Sequence, residues 1–252
     1  MNFEDDFKGK RVVITGAAGI MGRMLVDHFR DAGAKVCSTD TSTDNLTGFS
    51  VAADLTKDTG LDTLLEVVKN EWGAPDVVIN NAAIYPSSFL LDMDVPDWDQ
   101  IMGINVRAPF VLMRGFSLQM IEKGVRGNFV NISSGAARKM RRTAVTYCMS
   151  KTALDRMTKG FALELAEYGI RANCLEPGFA TGSAVSTLNQ EHINRVLAAI
   201  PLGNEIDPED VGKAALYLAS SAAKNITGTS LSVDGGNSAG TMDVYQDKKS
   251  AL

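Results

Sequence analysis

The chain has few histidines and cysteines, and the absence of paired ligands excludes several kinds of site. Only two histidines occur in 252 residues, His28 and His192, and neither has a spacing typical of zinc ligation or of a Ser/His/Asp triad. The three cysteines, Cys37, Cys148 and Cys174, are widely spaced and form no CxxC pair. We therefore expect no metal site and no disulfide framework, and we expect three free, buried thiols in a reducing compartment.

We expect neither an export signal nor a membrane span. Residues 1–9 are acidic and polar rather than basic and apolar, and no run approaches about eighteen apolar residues. The net charge of −5 argues against nucleic acid or an anionic membrane as a partner. With 45% hydrophobic and 22% charged residues, the composition is that of an ordinary folded protein. We expect a cytoplasmic protein that acts on a small molecule.

Apolar, β-branched runs alternate with helix-like amphipathic stretches from Lys10 onward. The runs that predict strands are 11–15, 34–39, 49–53, 76–80, 127–133, 170–176 and 229–234. Most are continuously apolar, as parallel strands covered on both faces are, so the sequence predicts an α/β, doubly wound, Rossmann-type sheet with helices on both faces. No linker or repeat marks a boundary, and we expect one domain over 1–252, with a substrate loop at about 181–204 and a tail at 237–252.

The glycine-rich segment 15–22 joins the first predicted strand to the first predicted helix. Glycines at this turn let the backbone approach a diphosphate, and the helix N-terminus offers unpaired N–H groups and a partial positive charge. Glycine turns are common, but the order strand, turn, helix is the context that this motif requires. The segment therefore predicts a dinucleotide cofactor.

Asp40 ends the second predicted strand, about twenty residues after the glycines. A carboxylate there accepts hydrogen bonds from the adenosine ribose hydroxyls and repels a 2′-phosphate, and neither residues 41–43 nor the glycine turn before Gly22 supplies a lysine or arginine to receive one. This position favours NAD over NADP. The alternative is that Asp40 only caps a turn.

Tyr147 and Lys151 lie four residues apart in the predicted helix 146–168, so both project from one helix face. At about 5 Å and an effective dielectric near 20, the lysine charge lowers the ionisation cost of the phenol by about 3 kcal/mol, or roughly two pKa units. Tyr147 is then a candidate general base for alcohol oxidation and general acid for carbonyl reduction. The alternative is an ordinary pair on a solvated helix face.

Ser134 closes the fifth predicted strand at the carboxyl edge of the sheet, where open α/β sheets bind ligands. Its hydroxyl is a candidate hydrogen-bond partner for the substrate oxygen. A turn or a helix cap is the competing interpretation.

Taken together and in order, these motifs make the chain resemble the short-chain dehydrogenase/reductase family from Lys10 to Gly236. The matching elements are the glycine turn, Asp54, Asn80-Asn81-Ala82-Ala83, Asn105, Ser134, Tyr147 with Lys151, Pro177-Gly178 and Val233-Asp234-Gly235-Gly236. The resemblance implies a seven-stranded parallel sheet, NAD-dependent hydride transfer between an alcohol and a carbonyl, and a homotetramer or dimer.

The resemblance also implies individual roles. Asp54 would contact the adenine, Asn81 and Ala82 would run beside the adenosine ribose, Lys151 would also hold the nicotinamide ribose, and Asn105 would hold a water in a proton relay. The expected catalytic residues are Asn105, Ser134, Tyr147 and Lys151. The expected cofactor-binding residues are Gly16, Ala18, Gly19, Ile20, Met21, Gly22, Asp40, Asp54, Leu55, Asn81, Ala82, Tyr147, Lys151, Pro177, Gly178 and Thr181.

The basic segment 138–142 lies between Ser134 and Tyr147, where this family has the mouth of its active site. It suggests an anionic substrate group such as a carboxylate, sulfonate or phosphate, with a solvated loop or subunit ion pairs as the alternative. The expected substrate residues are Ser134, Arg138, Arg141, Arg142 and Phe179. Further candidate pocket walls are Tyr85, Met140 and Val185.

Three positions depart from the family pattern: Gly19 gives a GxxGxxG spacing, Ala83 replaces a glycine, and Thr181 comes one residue early. The first is typical of epimerase-like relatives, although those are longer. An epimerase that uses NAD transiently therefore remains an alternative. Because a fold does not determine a function, an NAD-binding sensor or scaffold without turnover is another. Neither the substrate nor the physiological direction follows from the sequence.

Overall fold

The computed structural model describes residues 3–181 and 189–242. Seven parallel strands form one sheet in the order β3-β2-β1-β4-β5-β6-β7. The strands are β1 Arg11–Thr15, β2 Lys35–Asp40, β3 Ser50–Ala52, β4 Val77–Asn80, β5 Asn128–Ile132, β6 Arg171–Pro177 and β7 Ser230–Val233. All seven predicted strands are confirmed, with ends displaced by no more than one residue.

The helices follow the strands in the alternation that the sequence predicts. They are α1 Glu4–Phe7, α2 Ile20–Asp31, α3 Asp58–Trp72, α4 Val95–Met102, α5 Ala108–Lys123, α6 Val145–Leu165, α7 Gln190–Ala198 and α8 Pro208–Ala219. The helix predicted at 146–168 ends as α-helix at Leu165 and continues as a 3₁₀ turn over Ala166–Tyr168. Further 3₁₀ turns cover Gly135–Ala137 and Ser221–Ala223, and a π-helical turn, Gly103–Arg107, joins α4 to α5.

Alternate residues of each central strand enter different cores, because successive side chains of a strand point to opposite faces. Val13 of β1 packs in the core under α3 and α5, whereas Val12 and Ile14 pack in the core under α2 and α8. Both faces are therefore covered by helices, which confirms the predicted doubly wound architecture.

The strand order reverses between β1 and β4, and this reversal places a crevice at the carboxyl edge of the sheet. Asp40 is the last residue of β2, and the glycine turn, Asn81 and Ser134 follow β1, β4 and β5, so all lie at this edge. Across the part of the chain that is described, no helix is long and apolar enough to cross a membrane. The same residues contain no group of three or more His, Cys, Asp or Glu side chains arranged to hold a metal ion.

Candidate active site

Two of the three glycines in the turn between β1 and α2 are required by the packing of the chain itself. Gly16 has φ +64°, and a Cβ there would lie 2.8 Å from the Cα of Ala82. A Cβ on Gly22 would overlap the carbonyl oxygen of Gly16. Any larger residue at either position would push β4 or α2 away from the turn.

Gly19 has a different environment. A Cβ there would meet only the carbonyl oxygen of Gly16, at 3.4 Å, so packing within the described chain does not require glycine. Gly19 is the N-cap of α2, and no side chain caps that end of the helix among the described residues. The backbone N–H groups of Ile20, Met21 and Gly22 open the helix beside a space that a side chain at 19 would fill. This cradle fits the diphosphate of a dinucleotide.

Asp40 and Asn81 fix the turn from its two sides. The Ala18 N–H donates to Asp40 Oδ2 at 2.9 Å, and Asn81 Nδ2 donates to the carbonyl oxygens of Thr15 at 2.9 Å and Gly16 at 3.1 Å. The structure thus brings together the predicted residues of β1, β2 and β4. Asp40 has the turn-fixing role that the sequence left open, and its carboxylate retains lone pairs for a ribose hydroxyl.

Asp54 and Leu55 follow β3 and differ in what they offer a ligand. Hydrogen bonds from Lys57, 2.8 Å away, and from Thr56 hold the pKa of the Asp54 carboxyl at about 2. The side chain of Leu55 is buried in the core under α3 and α5. Asp54 therefore presents an anionic carboxylate, while Leu55 can offer a ligand only its backbone.

The opposite wall of the crevice follows β6. The Gly178 N–H donates to the Val233 carbonyl at 2.8 Å, and a Cβ on Gly178 would lie 2.6 Å from the Cα of Asp234. The backbone N–H and the hydroxyl of Thr181 both donate to Glu205 Oε2 at 2.7 Å. Pro177 and Gly178 are thus fixed by the end of β7, and Thr181 is fixed by the segment between α7 and α8.

Tyr147 and Lys151 occupy neighbouring turns at the start of α6, as predicted. Lys151 Nζ lies 5.8 Å from the centroid of the Tyr147 ring and donates to the Ile132 carbonyl at 2.7 Å. Only 2% of Lys151 is exposed. A buried ammonium beside a phenol is therefore present in the folded chain.

The pKa of Tyr147 differs from the prediction. Burial raises the pKa of the phenol, while a hydrogen bond with Ser134 and the charge of Arg141 act in the opposite direction. For Lys151, whose charged form is the protonated one, burial has the opposite effect and lowers the pKa from 10.5 to about 8. The prediction that the lysine charge lowers the pKa of Tyr147 was wrong in direction, because it left out the cost of removing both groups from water.

Ser134 combines the two interpretations that the sequence left open. Its hydroxyl accepts a hydrogen bond from the Ala136 N–H at 3.1 Å and so caps the 3₁₀ turn that follows β5. The same hydroxyl is hydrogen-bonded to Tyr147. The cap therefore orients the serine toward the phenol.

Asn105 is buried in the π-helical turn, and its amide is largely occupied. Oδ1 accepts from the Ile84 N–H at 2.9 Å, and Nδ2 donates to the Ile84 carbonyl at 2.9 Å and to Ser150 Oγ at 3.0 Å. Ser150 Oγ in turn donates to the Tyr147 carbonyl at 2.7 Å. The side chain keeps only the second lone pair of Oδ1 for a water, and its visible contacts tie the loop after β4 to α6.

The basic segment 138–142 is divided between structural and open cations. Arg138 Nε bonds Glu176, a carboxylate that is 1% exposed, at 2.7 Å, and Lys139 Nζ bonds the carbonyl and Oδ1 of Asn237 at 2.9 and 2.8 Å. Arg138 is therefore paired with a buried carboxylate, and its role as a substrate residue stays a prediction.

Arg141 and Arg142 remain at the mouth of the crevice. The guanidinium carbon of Arg141 lies 5.8 Å from the centroid of the Tyr147 ring, and that of Arg142 lies 5.3 Å from the Phe89 ring. Tyr85 packs edge-on against Tyr147 at 5.8 Å. Among the other predicted pocket walls, Met140 is exposed and Phe179 is half-buried, and Val185 lies outside the described residues.

Sequence reasoning missed three side chains that hold this site together: Ser150, Glu176 and Glu205. Ser150 immediately precedes Lys151, and its place on the helix face of Tyr147 was a usable signal. No local pattern marks Glu176 or Glu205, since their partners lie 38 and 24 residues away.

The chain matches the family model described as enoyl-(acyl carrier protein) reductase over residues 16–238. It is 29% identical to a 3-oxoacyl-(acyl-carrier-protein) reductase of Vibrio cholerae, over 92% of this chain and 98% of that protein. A short-chain dehydrogenase of Leptospira borgpetersenii with bound NAD⁺ superposes with a TM-score of 0.88 at 26% identity, covering 94% and 96% of the two chains. A gluconate 5-dehydrogenase of Burkholderia cenocepacia with NADP and tartrate gives 0.89 at 25% identity, covering 95% and 98%.

Proposed function

The chain belongs to the short-chain dehydrogenase/reductase family of oxidoreductases, and we propose that it interconverts a secondary alcohol and a ketone with NAD as its cofactor. The observation that carries this proposal is the group formed by Tyr147, Ser134 and Lys151 at the carboxyl edge of the sheet. A phenol that is hydrogen-bonded to a serine and lies beside a buried ammonium is suited to moving one proton to or from a substrate oxygen.

The glycine cradle, Asp40 and Asp54 would hold the adenosine half of the cofactor. Asp40 supports NAD over NADP, because its carboxylate would repel a 2′-phosphate. Structurally similar proteins carry either NAD⁺ or NADP, so this preference rests on Asp40 alone. When bound, the nicotinamide ring accepts a hydride from the alcohol carbon or returns one to the carbonyl carbon.

In the direction of oxidation, Ser134 binds the substrate hydroxyl and Tyr147 takes its proton as the carbonyl forms. Lys151 would bind the nicotinamide ribose, and its positive charge favours the phenolate. Asn105 and Ser150 fix the position of the Tyr147 backbone. In the direction of reduction, Tyr147 gives the proton back to the oxygen.

The open cations at the mouth support a small hydroxy compound with an anionic group as the substrate. The tartrate in the Burkholderia structure is a hydroxy acid of this kind. A second candidate is a 3-oxoacyl thioester, which the Vibrio relative's name suggests. Exposed apolar side chains at the mouth, Phe89, Leu90, Leu91 and Met140, favour this alternative because they would contact an acyl chain.

The test is NADH formation by the full chain with a panel of secondary alcohols, sugars, hydroxy acids and hydroxyacyl thioesters, with NAD and NADP compared. We expect turnover of a hydroxy acid with NAD. Preference for a thioester would select the second candidate, and substrate conversion without net NADH would indicate an epimerase. Tight NAD binding with no turnover across the panel would contradict the proposal and favour a sensor.

Apolar side chains on α5 and α6 support the homo-oligomer that the sequence predicts. Phe110 and Leu118 of α5 and Leu163 of α6 are exposed, Leu163 by 81%. We propose that these helices pack against a second copy in a dimer or tetramer in the cytoplasm, where the three buried thiols stay reduced. Light scattering should show an oligomer that Leu163→Glu dissociates, and a monomeric wild type would contradict this assembly.

A further inference from the structure

Arg141 is the cation of the basic segment that faces the reacting group. Arg138 and Lys139 are bound by Glu176 and Asn237, and Arg142 lies over Phe89 on the outer rim. Arg141 is exposed, has no carboxylate partner within residues 3–181 and 189–242, and stands over the Tyr147 ring. Its charge is therefore free to meet a ligand.

The backbone holds Arg141 in this place. The Ala144 N–H donates to the Arg141 carbonyl at 3.1 Å, and the Ser88 N–H donates to the Thr143 carbonyl at 2.8 Å. Thr143 has φ +66°, a left-handed conformation that costs free energy for a β-branched residue. Strain of this kind persists where the surrounding structure enforces it, often at functional sites.

Two cations thus flank one phenol. Lys151 Nζ and the Arg141 guanidinium carbon both lie 5.8 Å from the Tyr147 ring centroid, the first buried in α6 and the second exposed at the mouth. A substrate whose alcohol oxygen reaches Tyr147 can place a carboxylate on Arg141 if only a few bonds separate the two groups. Guanidinium and carboxylate match as a bidentate pair.

We propose that Arg141 binds the carboxylate of a small hydroxy acid and lends its charge to the Tyr147 phenol until that carboxylate arrives. This inference rests on the proposed dehydrogenase function and assigns its substrate class. The carboxylate neutralises one of the two cations beside the phenol, so the bound substrate changes the ionisation of the group that takes its proton.

The groups that face Tyr147 come from four parts of the chain. Lys151 and Cys148 belong to α6, Tyr85 to the loop after β4, Ser134 to the end of β5, and Arg141 to the loop before α6. Arg141 is the charged member of this set that is exposed to solvent. It is therefore the one that a ligand from solution can neutralise.

The test uses Arg141→Gln and Arg141→Lys in the full chain, with Arg156→Gln as the matched control. Arg156 is exposed on α6, away from the mouth loop, and its replacement removes the same charge. Calorimetry measures succinate, with neutral succinamide as comparison, binding to the protein loaded with NADH. Ultraviolet difference titration against Tyr147→Phe follows the Tyr147 phenol without turnover.

We expect Arg141→Gln to weaken succinate binding by about 10- to 100-fold and to raise the titration midpoint of Tyr147 by about half to one pH unit. Succinamide binding and both properties of Arg156→Gln should stay at wild-type values. Arg141→Lys should restore the midpoint but only part of the succinate affinity, because the ammonium lacks the planar fork.

Unchanged succinate affinity or an unchanged midpoint in Arg141→Gln overturns the proposal. Both readouts are independent of turnover. A chain that passes them but oxidises no alcohol would contradict the proposed function and not the anion site.

Discussion

The cofactor side and the substrate side of the crevice are held together by different means. On the cofactor side, the ends of β1, β2 and β4 meet at the glycine turn. The side chains of Asp40 and Asn81 hydrogen-bond the backbone of this turn at Ala18 and Thr15. On the substrate side, ring contacts and a strained loop hold exposed cations and apolar side chains. The side where we place the cofactor is fixed by contacts between strands, and the side where we place the substrate lies on loops that can vary without disturbing the sheet.

The glycines test whether the cofactor side is as tightly packed as this comparison requires. Gly22→Ala would force a Cβ into the Gly16 carbonyl, and we expect a loss of about 4 kcal/mol or more in the free energy of unfolding. Gly19→Ala is the matched control, since its Cβ would have ordinary contacts. The free energy of unfolding of Gly19→Ala should lie within about 1 kcal/mol of the wild-type value. The variant should nevertheless bind NADH at least about tenfold more weakly. Denaturant titration and calorimetry measure the two effects, and equal stability of both variants would contradict the packing argument.

Asp40→Asn tests our proposal that the charge of Asp40 selects NAD over NADP. Asparagine can still accept the Ala18 N–H but no longer repels a 2′-phosphate, so the NADP-to-NAD preference should rise by about 100-fold. The affinity ratio of the two cofactors measures the change. An unaltered ratio would mean that Asp40 serves only to fix the turn.

Lys151→Met tests the cost of burying the ammonium between the two sides. A depressed pKa means that folding disfavours the charged form, at a cost of about 3 kcal/mol below pH 8, where the lysine is charged in both the folded and unfolded states. Removing the lysine relieves this cost but also removes its hydrogen bond to the Ile132 carbonyl, which stabilises the fold by about 1 kcal/mol. We therefore expect the free energy of unfolding of the variant to be about 2 kcal/mol higher than that of wild type at pH 7.

The direction of the Lys151 pKa shift also determines how the stability difference between wild type and Lys151→Met depends on pH. From about pH 8 to 10.5 the folded protein loses this proton while the unfolded chain keeps it, so the contribution of Lys151 to stability rises with pH and the advantage of the variant shrinks. Lys159→Met, which removes a partly exposed lysine paired with Asp155, should change stability by about 0.5 kcal/mol or less. Denaturant titration over this range decides the matter, and a pH-independent difference would refute burial as the cause.

Thr143→Gly sharpens the comparison on the substrate side. Glycine adopts φ +66° without a Cβ penalty, so the variant should gain about 1 kcal/mol in the free energy of unfolding. Thr143→Ala retains the Cβ and should gain little. If the two variants are equally stable, the loop is not strained at this residue.

Local pattern and spacing sufficed for the sheet and for the Tyr147/Lys151 pair, because strand burial and helix periodicity are written in neighbouring residues. Other features depend on contacts between distant segments. The pKa of Tyr147 depends on how the loops carrying Tyr85 and Arg141 cover it, and the pairing of Arg138 depends on Glu176, 38 residues away. The π-helical turn that places Asn105 has no sequence signature that we recognise.

The measurement that tests the central claim most directly is single-turnover NADH formation by wild type and Tyr147→Phe, with the best substrate of the panel and with NADH affinity measured in parallel. Proton transfer by Tyr147 predicts a loss of about 10³-fold in the rate, with an NADH dissociation constant within about twofold of wild type. A variant that binds NADH normally and turns over at the wild-type rate would contradict the account.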